Sequence, residues 1–102
     1  MKKVKECKNM QDIRFAIDQI DKKIVESIAL RAEYVHEAAK FKNSESEVKD
    51  DDRVKNVIES KKALADKYGI SPVLISNIYK IMIDFFINEE MKEWKYKKGN
   101  LD

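Results

Sequence analysis

Residues 9–44 read NMQDIRFAIDQIDKKIVESIALRAEYVHEAAKFKNS and contain neither proline nor glycine. Apolar side chains recur here at steps of three and four residues, at Met10, Ile13, Ile17, Ile20, Ile24, Ile28, Val35 and Ala38. This spacing places them on one face of an α-helix. The sequence therefore predicts a long first helix that begins at Asn9, a favourable N-cap residue, and ends near Phe41 or Asn43.

Cationic side chains interrupt this apolar face. Arg31 and Lys42 both fall at its three- and four-residue steps. Arg14 lies beside Ile13 near the beginning of the helix. A buried cation costs free energy unless an anion pairs with it. Two interpretations of these cations stay open: an ion pair with Glu or Asp of another helix, or a bound anionic ligand.

Two further helices are predicted after the first. Residues 43–51, NSESEVKDD, are polar and are predicted to form a loop. The acidic residues 50–52 favour the start of a second helix, which ends at Gly69. Ser71-Pro72 is a typical helix start, so a third helix should run from there to about Tyr96. The predicted fold class is all-α with three helices.

The composition fits one helical domain over residues 1–102, with frayed ends at 1–8 and 98–102. The chain is 43% hydrophobic and 39% charged and has two glycines and one proline, which disfavours a turn-rich β fold. No apolar run reaches the ~18 residues that span a bilayer, and residues 1–10 lack the apolar segment of a signal peptide. Cys7 is the single cysteine, so we expect no internal disulfide, no thiolate metal cluster and a cytoplasmic location.

The predicted length of the first helix indicates a second copy of the chain. A helix of about 33 residues is ~50 Å long, whereas a compact domain of this size has a radius of gyration of ~13 Å. The apolar face runs along the whole helix, so another chain should cover the overhang, most simply in a two-fold homodimer with antiparallel long helices. Arg14 and Arg31 are ~25 Å apart along one helix, but in such a dimer Arg14 of one protomer approaches Arg31 of the other.

Other polar residues have a structural and a functional interpretation. Glu90 lies on an apolar stripe of the third predicted helix; it can be the counter-ion of Lys42, or a protonated carboxyl that donates a hydrogen bond. Arg53 alone is best explained as a solvated cation, and His36 as a partly exposed helix residue. Nothing resembles a nucleophile with a paired base, a metal-ligand cluster or a glycine-rich phosphate loop. An enzyme of this kind would act by positioning and electrostatics.

The pattern DIRxAIDxIDxxIV, followed by RxxYVxxAAxFKxSE and by RV in the second helix, resembles the all-helical chorismate mutase family, and more closely its isochorismate pyruvate lyase branch. The resemblance covers the chain from Asp12 to about Gly99. It implies an intertwined homodimer and a pericyclic reaction without metal, cofactor or covalent intermediate. The implied substrate is a small dianion: isochorismate, converted to salicylate and pyruvate, or chorismate, converted to prephenate.

The resemblance also implies roles for five residues. Arg14 from the partner subunit and Arg31 would bind the substrate carboxylates. Lys42 would contact a carboxylate and the ether oxygen of the breaking C–O bond. Arg53 would hold the ring side, and the residue at position 90 would hydrogen-bond the ether oxygen from the other side.

Two positions bear on the choice of reaction. Chorismate mutases of the bacterial type usually have Glu directly after the second-helix arginine, whereas this chain has Val54, as expected in the lyase branch. Position 90 is Glu, where both bacterial groups generally have Gln. An ionised Glu90 would repel negative charge on the ether oxygen, so the active form should be protonated and activity should fall as pH rises. The loop at 43–51 would close over the pocket with Lys42 at its hinge.

Three other functions stay open. The nearest is chorismate mutase, either as the main or as a second activity. A non-catalytic helical dimer that binds an aromatic acid or a partner helix is disfavoured, because every catalytic-type position holds a usable group. A nucleic-acid binder is least favoured, because the net charge is only +2 and basic residues are interleaved with acidic ones.

Overall fold

The computed structural model describes the backbone of residues 1–100 and the side chains of residues 1–97. The regular elements of these residues are all helical: α1 at Met10–Ala38, α2 at Glu45–Lys49, α3 at Asp51–Lys67 and α4 at Pro72–Asn100, with 3-10 turns at Val4–Glu6 and Ala39–Phe41. The predicted all-α class is confirmed, and the three predicted helices correspond to α1, α3 and α4. The chain divides into two compact units, Met1–Tyr34 and Val35–Asp102.

The first unit contains the beginning and most of the length of α1. Asn9 caps this helix, since its side-chain Oδ1 accepts the N–H of Asp12 at 2.8 Å. The Asp12 carboxylate in turn accepts the N–H of Lys8 at 3.0 Å and pairs with the Lys2 ammonium at 3.1 Å. The predicted N-cap is confirmed. Residues 1–8, predicted to be frayed, contain a 3-10 turn and are tied to the first turn of α1.

The helix α1 ends at Ala38, earlier than the predicted end near Phe41 or Asn43. The 3-10 turn Ala39–Phe41 follows, and the N–H of Lys42 donates to the carbonyl of Ala39 at 3.2 Å. Lys42 itself has an extended backbone, with φ −100° and ψ 135°. The prediction that Lys42 continues the helical face was therefore wrong, because the chain leaves α-helical geometry about one turn before it.

The polar stretch 43–51 was predicted to be a loop, and that prediction was wrong because the stretch contains α2. Ser44 is its N-cap: the hydroxyl accepts the N–H of Glu47 at 3.2 Å, while the Glu47 carboxylate accepts the N–H of Asn43. This arrangement is a variant of the capping box in which the carboxylate accepts the N–H of the residue before the N-cap, and it favours the start of a helix. Val48, within α2, is only 1% exposed.

Asp50 is the single residue between α2 and α3, and its φ of 34° lies in the left-handed region. Its N–H donates to the carbonyl of Ser46 at 2.7 Å, and its side-chain Oδ1 accepts the N–H of Arg53 at 3.1 Å. Aspartate tolerates this backbone conformation better than most residues with a side chain. Asp50 therefore ends α2 and caps α3 at the same time.

The connection between α3 and α4 is a tight turn that confirms both predicted caps. Gly69 has φ 71°, where a side chain would be strained, and its N–H donates to the carbonyl of Asp66 at 3.1 Å. The Ser71 hydroxyl accepts the N–H of Leu74 at 3.2 Å, and Pro72 occupies the first helical position.

The helices α3 and α4 pack against each other and form the core of the second unit. Its buried residues and the half-buried ones packed against them are Val57, Ile58, Ile83, Val54, Tyr79 and Ile87. The backbone of α4 continues to Asn100, beyond the predicted end near Tyr96. Residues 98–100 of the predicted frayed tail are therefore helical, and residues 101 and 102 lie outside the described part of the chain.

Two stripes of apolar side chains, at steps of three and four residues, remain exposed on the chain. On α1 they are Met10, Ile13, Ile17, Ile20 and Ile24, and on α4 they are Leu74, Ile78, Ile81 and Phe85. Their exposed fractions lie between 41% and 72%. Apolar stripes of this extent mark interaction surfaces more often than free surface. Within the described residues, none of the helices combines the length and the apolar character that crossing a membrane requires.

Candidate active site

Lys42 and Glu90 form the centre of the candidate site, which lies in the second unit. The Lys42 ammonium nitrogen Nζ is 2.7 Å from Glu90 Oε1. The Glu90 side chain is 3% exposed and that of Lys42 is 25% exposed. Of the two interpretations of Glu90, that of a counter-ion for Lys42 describes this structure.

The burial of Glu90 follows from its place on α4. Ile83 is buried and Ile87 is half-buried on the same stripe, at spacings of seven and three residues from Glu90. The predicted acid on an apolar face is therefore confirmed. Burial of a carboxylate at such a position costs free energy unless a cation compensates its charge. Lys42, which follows the 3-10 turn Ala39–Phe41 and has an extended backbone, supplies that cation.

A contact between a histidine and a carboxylate, and one further ion pair, flank the contact between Lys42 and Glu90. His36 Nδ1 lies 2.8 Å from Glu93 Oε2, and Lys95 Nζ lies 3.7 Å from Glu45 Oε1. The His36 side chain is 55% exposed, which confirms the expected partial exposure. Exposed pairs of this kind contribute little free energy one by one. The three contacts show which residues of the segment 36–45 lie beside which residues of α4.

Arg53 lies in the first turn of α3, and it is exposed. Its backbone N–H is taken up by the cap of Asp50, but its guanidinium forms no ion pair within the part of the chain that the structure describes. The next residue, Val54, turns inward and packs against the core of α3 and α4. Arg53 is therefore a cation close to the helix start that is accessible to an anion.

Arg14 and Arg31 both lie on α1, and their roles stay predictions. Arg14 is exposed, whereas Arg31 is half-buried with its guanidinium nitrogen Nη1 fully buried. Because α1 is continuous between them, they are ~25 Å apart along the helix axis. One protomer cannot bring both guanidinium groups to the same small ligand along this helix.

Residues 13–91 match the family of chorismate mutase type II. The chain belongs to this family. The chain is also similar to an isochorismate pyruvate lyase from Pseudomonas aeruginosa, at 31% identity over 99 residues, which cover 97% of this chain and 98% of that protein. The resemblance noted from the sequence motifs is thereby confirmed.

The family match spans all five candidate site residues, from Arg14 to Glu90. Four of them are cations, a type of group that can bind an anion. Glu90 and Lys42 together offer one acceptor and one donor at a partly dehydrated position. Among the described residues, no cluster of His, Cys, Asp and Glu is arranged to hold a metal ion.

Sequence reasoning missed two features near this site. Val48 is a lone apolar residue in a polar stretch, so it has no periodic pattern that would mark it as buried. The pair between Glu45 and Lys95 joins residues 50 positions apart in the chain, and charge spacing along one helix does not reveal such a contact. The capping box of α2 was readable, since Ser44 is followed by Glu47 three positions later.

Proposed function

We propose that this protein is an isochorismate pyruvate lyase, which converts isochorismate to salicylate and pyruvate. The observation that carries the proposal is the similarity to the Pseudomonas aeruginosa lyase, which extends over 97% of the chain at 31% identity. The site supports it, because a lysine and a buried acid face each other within the matched range.

The reaction needs no oxidant, nucleophile or added proton. The ether C–O bond of isochorismate breaks while a hydrogen passes from the ring carbon to the methylene carbon of the enolpyruvyl arm. The new C–H bond completes pyruvate, and the ring becomes aromatic as salicylate. The protein contributes by holding the arm folded over the ring and by stabilising negative charge on the ether oxygen.

Lys42 is the proposed electrostatic catalyst. Its ammonium group would donate hydrogen bonds to the ether oxygen and to a substrate carboxylate. To do so it would either lose its contact with Glu90 or keep that contact as one of several. Glu90 would then act in its protonated form, as a hydrogen-bond donor to the same oxygen from the other side. An ionised Glu90 competes with the substrate for Lys42, so substrate binding and protonation of Glu90 favour each other.

The three arginines are proposed to bind the substrate. Arg53 is exposed and its guanidinium is unpaired within the described residues, so it can hold the ring side at small desolvation cost. Arg31 and Arg14 would bind the carboxylates, with Arg14 supplied by the partner subunit. The resemblance to the family implies this division of roles, and the separation of the two arginines along α1 is compatible with it.

The proposed assembly is a homodimer. The exposed apolar stripes of α1 and α4 support it, because their steps of three and four residues suit helix–helix packing between chains. The α1 helix has 29 residues and is therefore about 43 Å long. An antiparallel partner helix of that length would cover the α1 stripe and deliver its own Arg14.

Chorismate mutase is the second candidate, and the family match favours it, since the matched family is that of chorismate mutase type II. Val54 weighs against it as the main activity. The residue after Arg53 packs into the core and has no polar group to hold a ring hydroxyl. In this proposal, chorismate mutase is a slower second activity of the same residues.

The decisive experiment supplies purified protein with isochorismate and with chorismate separately and follows substrate, salicylate, pyruvate and prephenate over pH 5–8. Equal amounts of salicylate and pyruvate, formed much faster than prephenate, are the expected result. Faster prephenate formation would make the protein a chorismate mutase. Turnover of neither substrate would overturn the enzymatic proposal in favour of a binding protein.

A further inference from the structure

Val48 stands out from every other residue of α2. It is 1% exposed and is the largest fully buried side chain among the described residues. The other four residues of α2 are exposed. Since α2 packs against α4 and Val48 is the one buried side chain of α2, we expect Val48 to lie in this contact.

Residues 42–50, here called the strap, are held at several points. Lys42 is paired with Glu90 at one end, and Asp50 caps α3 at the other. The remaining tie to α4 is the pair between Glu45 and Lys95, whose side chains are more than half exposed. Exposed ion pairs are weak, whereas the removal of an apolar side chain from water stabilises a contact more strongly. Burial of Val48 is therefore the main fixed point of α2.

The hydrogen bonds at the start of α2 connect Val48 to Lys42. The carboxylate of Glu47, next to Val48, accepts the N–H of Asn43, next to Lys42. The hydroxyl of Ser44 holds the N–H of Glu47 in the same turn. These hydrogen bonds join Asn43 to the turn that contains Val48, and Lys42 directly precedes Asn43, so we expect a displacement of Val48 to displace Lys42 as well.

We propose that Val48 is a positioning residue, whose burial against α4 keeps the ammonium group of Lys42 within contact distance of Glu90 on α4. The inference rests on the proposed function, because the position of Lys42 matters for catalysis only if Lys42 faces the breaking C–O bond. Val48 itself does not touch the substrate. It acts on the rate by limiting the positions that Lys42 can take.

The test truncates two buried valines in the full-length protein. Val48→Ala removes two methyl groups from the anchor of α2, and Val57→Ala removes the same two groups from the core of α3 and α4, where Val57 is 8% exposed. For each variant, kcat and KM are measured well below the unfolding temperature, and the thermal midpoint is recorded. Hydrogen exchange of the Asp50 amide, which donates to Ser46 within the strap, is followed by NMR without substrate.

For Val48→Ala we expect kcat to fall about tenfold or more, with KM changed less than about threefold, because misplaced catalytic groups mainly affect the transition state. The Asp50 amide should exchange about tenfold faster or more, since local opening of α2 becomes easier. Val57→Ala should lower the thermal midpoint while leaving kcat and the exchange of Asp50 within about twofold of the wild type.

Three results would overturn the inference. One is a kcat of Val48→Ala that stays within twofold of the wild type, and another is unchanged exchange of Asp50 in that variant. The third is an equal loss of kcat in Val57→Ala, which would assign the effect to overall stability. Failure of the proposed function is recognised separately, since the wild type would then form neither salicylate nor prephenate, while the exchange data still decide whether Val48 holds α2.

Discussion

The carboxylate of Glu90 is almost fully buried and is in contact with the ammonium group of Lys42, at 2.7 Å. Each group compensates the charge of the other in this structure. The same lysine is the proposed electrostatic catalyst, so the contact that stabilises the fold competes with the contact that the reaction needs. Variants of the two residues allow this competition to be measured in the free energy of unfolding and in the activity.

The first prediction concerns stability. Lys42→Met leaves the Glu90 carboxylate buried without its cation, so the free energy of unfolding should fall by about 1–3 kcal/mol. The double variant Lys42→Met/Glu90→Gln should recover most of this loss, because the unpaired charge is removed. Urea denaturation at fixed protein concentration measures both values.

The control for this prediction is Lys40→Met. Lys40 pairs with Glu37 on the surface, where both side chains are more than half exposed, so the free energy of unfolding should change by less than ~0.5 kcal/mol. A double variant no more stable than Lys42→Met would show that the buried charge of Glu90 is not the source of the loss. Both variants that lack Lys42 should be inactive.

The second prediction concerns the hydrogen-bond donor at position 90. Glu90→Gln keeps the shape of the side chain, supplies a permanent N–H donor and does not compete for Lys42 as an anion, so its kcat/KM should be at least that of the wild type. Glu90→Met has no such donor, so its kcat/KM should lie about tenfold or more below that of Glu90→Gln. Equal kcat/KM in the two variants at one pH would contradict a hydrogen bond from position 90 to the ether oxygen.

The third prediction separates binding from folding at Arg53. Arg53→Ala should raise KM for the substrate about tenfold or more, because a charge-assisted contact to an anion is lost. Its thermal midpoint should hardly change, since the guanidinium is exposed. The matched control is Lys55→Ala, an exposed cation two residues further along α3, which should leave KM within about twofold. An equal rise of KM in the two variants would show that Arg53 acts only through the net charge of the protein and not through a direct contact with the substrate.

The fourth prediction concerns the first unit. The N–H of Lys8, and secondly the ammonium group of Lys2, lower the pKa of the Asp12 carboxyl from its ordinary value of 3.8. The deprotonated form is favoured by folding, so its contribution to stability is full above pH 3.8 and is lost as pH falls through the lowered pKa. Carboxyl carbon NMR should show an Asp12 titration midpoint below 3.8.

Lys2→Met tests the cause of this shift. It should move the Asp12 midpoint upward but not fully to the ordinary value, because the hydrogen bond from Lys8 remains. Lys5→Met removes a cation of the 3-10 turn Val4–Glu6 whose side chain forms no ion pair within the described residues, and it should leave the midpoint almost unchanged. A midpoint that responds equally to both variants would indicate general charge rather than the contact at 3.1 Å.

The helices could be predicted from the sequence because their signals are local. The period of the isoleucines fixed the course of α1, and Asn9, Gly69 and Ser71 marked three helix ends by their cap chemistry. The end of α1 at Ala38 could not be read in this way. The following residues have good helix propensity, so only packing of the next segment decides where the helix stops.

The candidate site was predicted in part. Glu90 was identified because an acid on an apolar stripe needs a partner, and Lys42 was named as one possible partner. Its distance from Glu90 depends on where the strap runs, and the strap depends on Val48, which carries no periodic signal. The path of the strap thus depends on the tertiary contact of Val48, which the local sequence pattern does not reveal.

The double role of Asp50 limits how this segment can evolve or be redesigned. Because this one residue ends α2 and caps α3, no loop lies between the two helices that could accommodate an inserted or deleted residue. A change of length anywhere in the strap would move Lys42 out of register with Glu90, or Val48 out of its buried position. Altered substrate preference in this scaffold should therefore be sought through side-chain replacements at constant length, and loop grafting between relatives should work only where the spacing from Lys42 to Arg53 is the same.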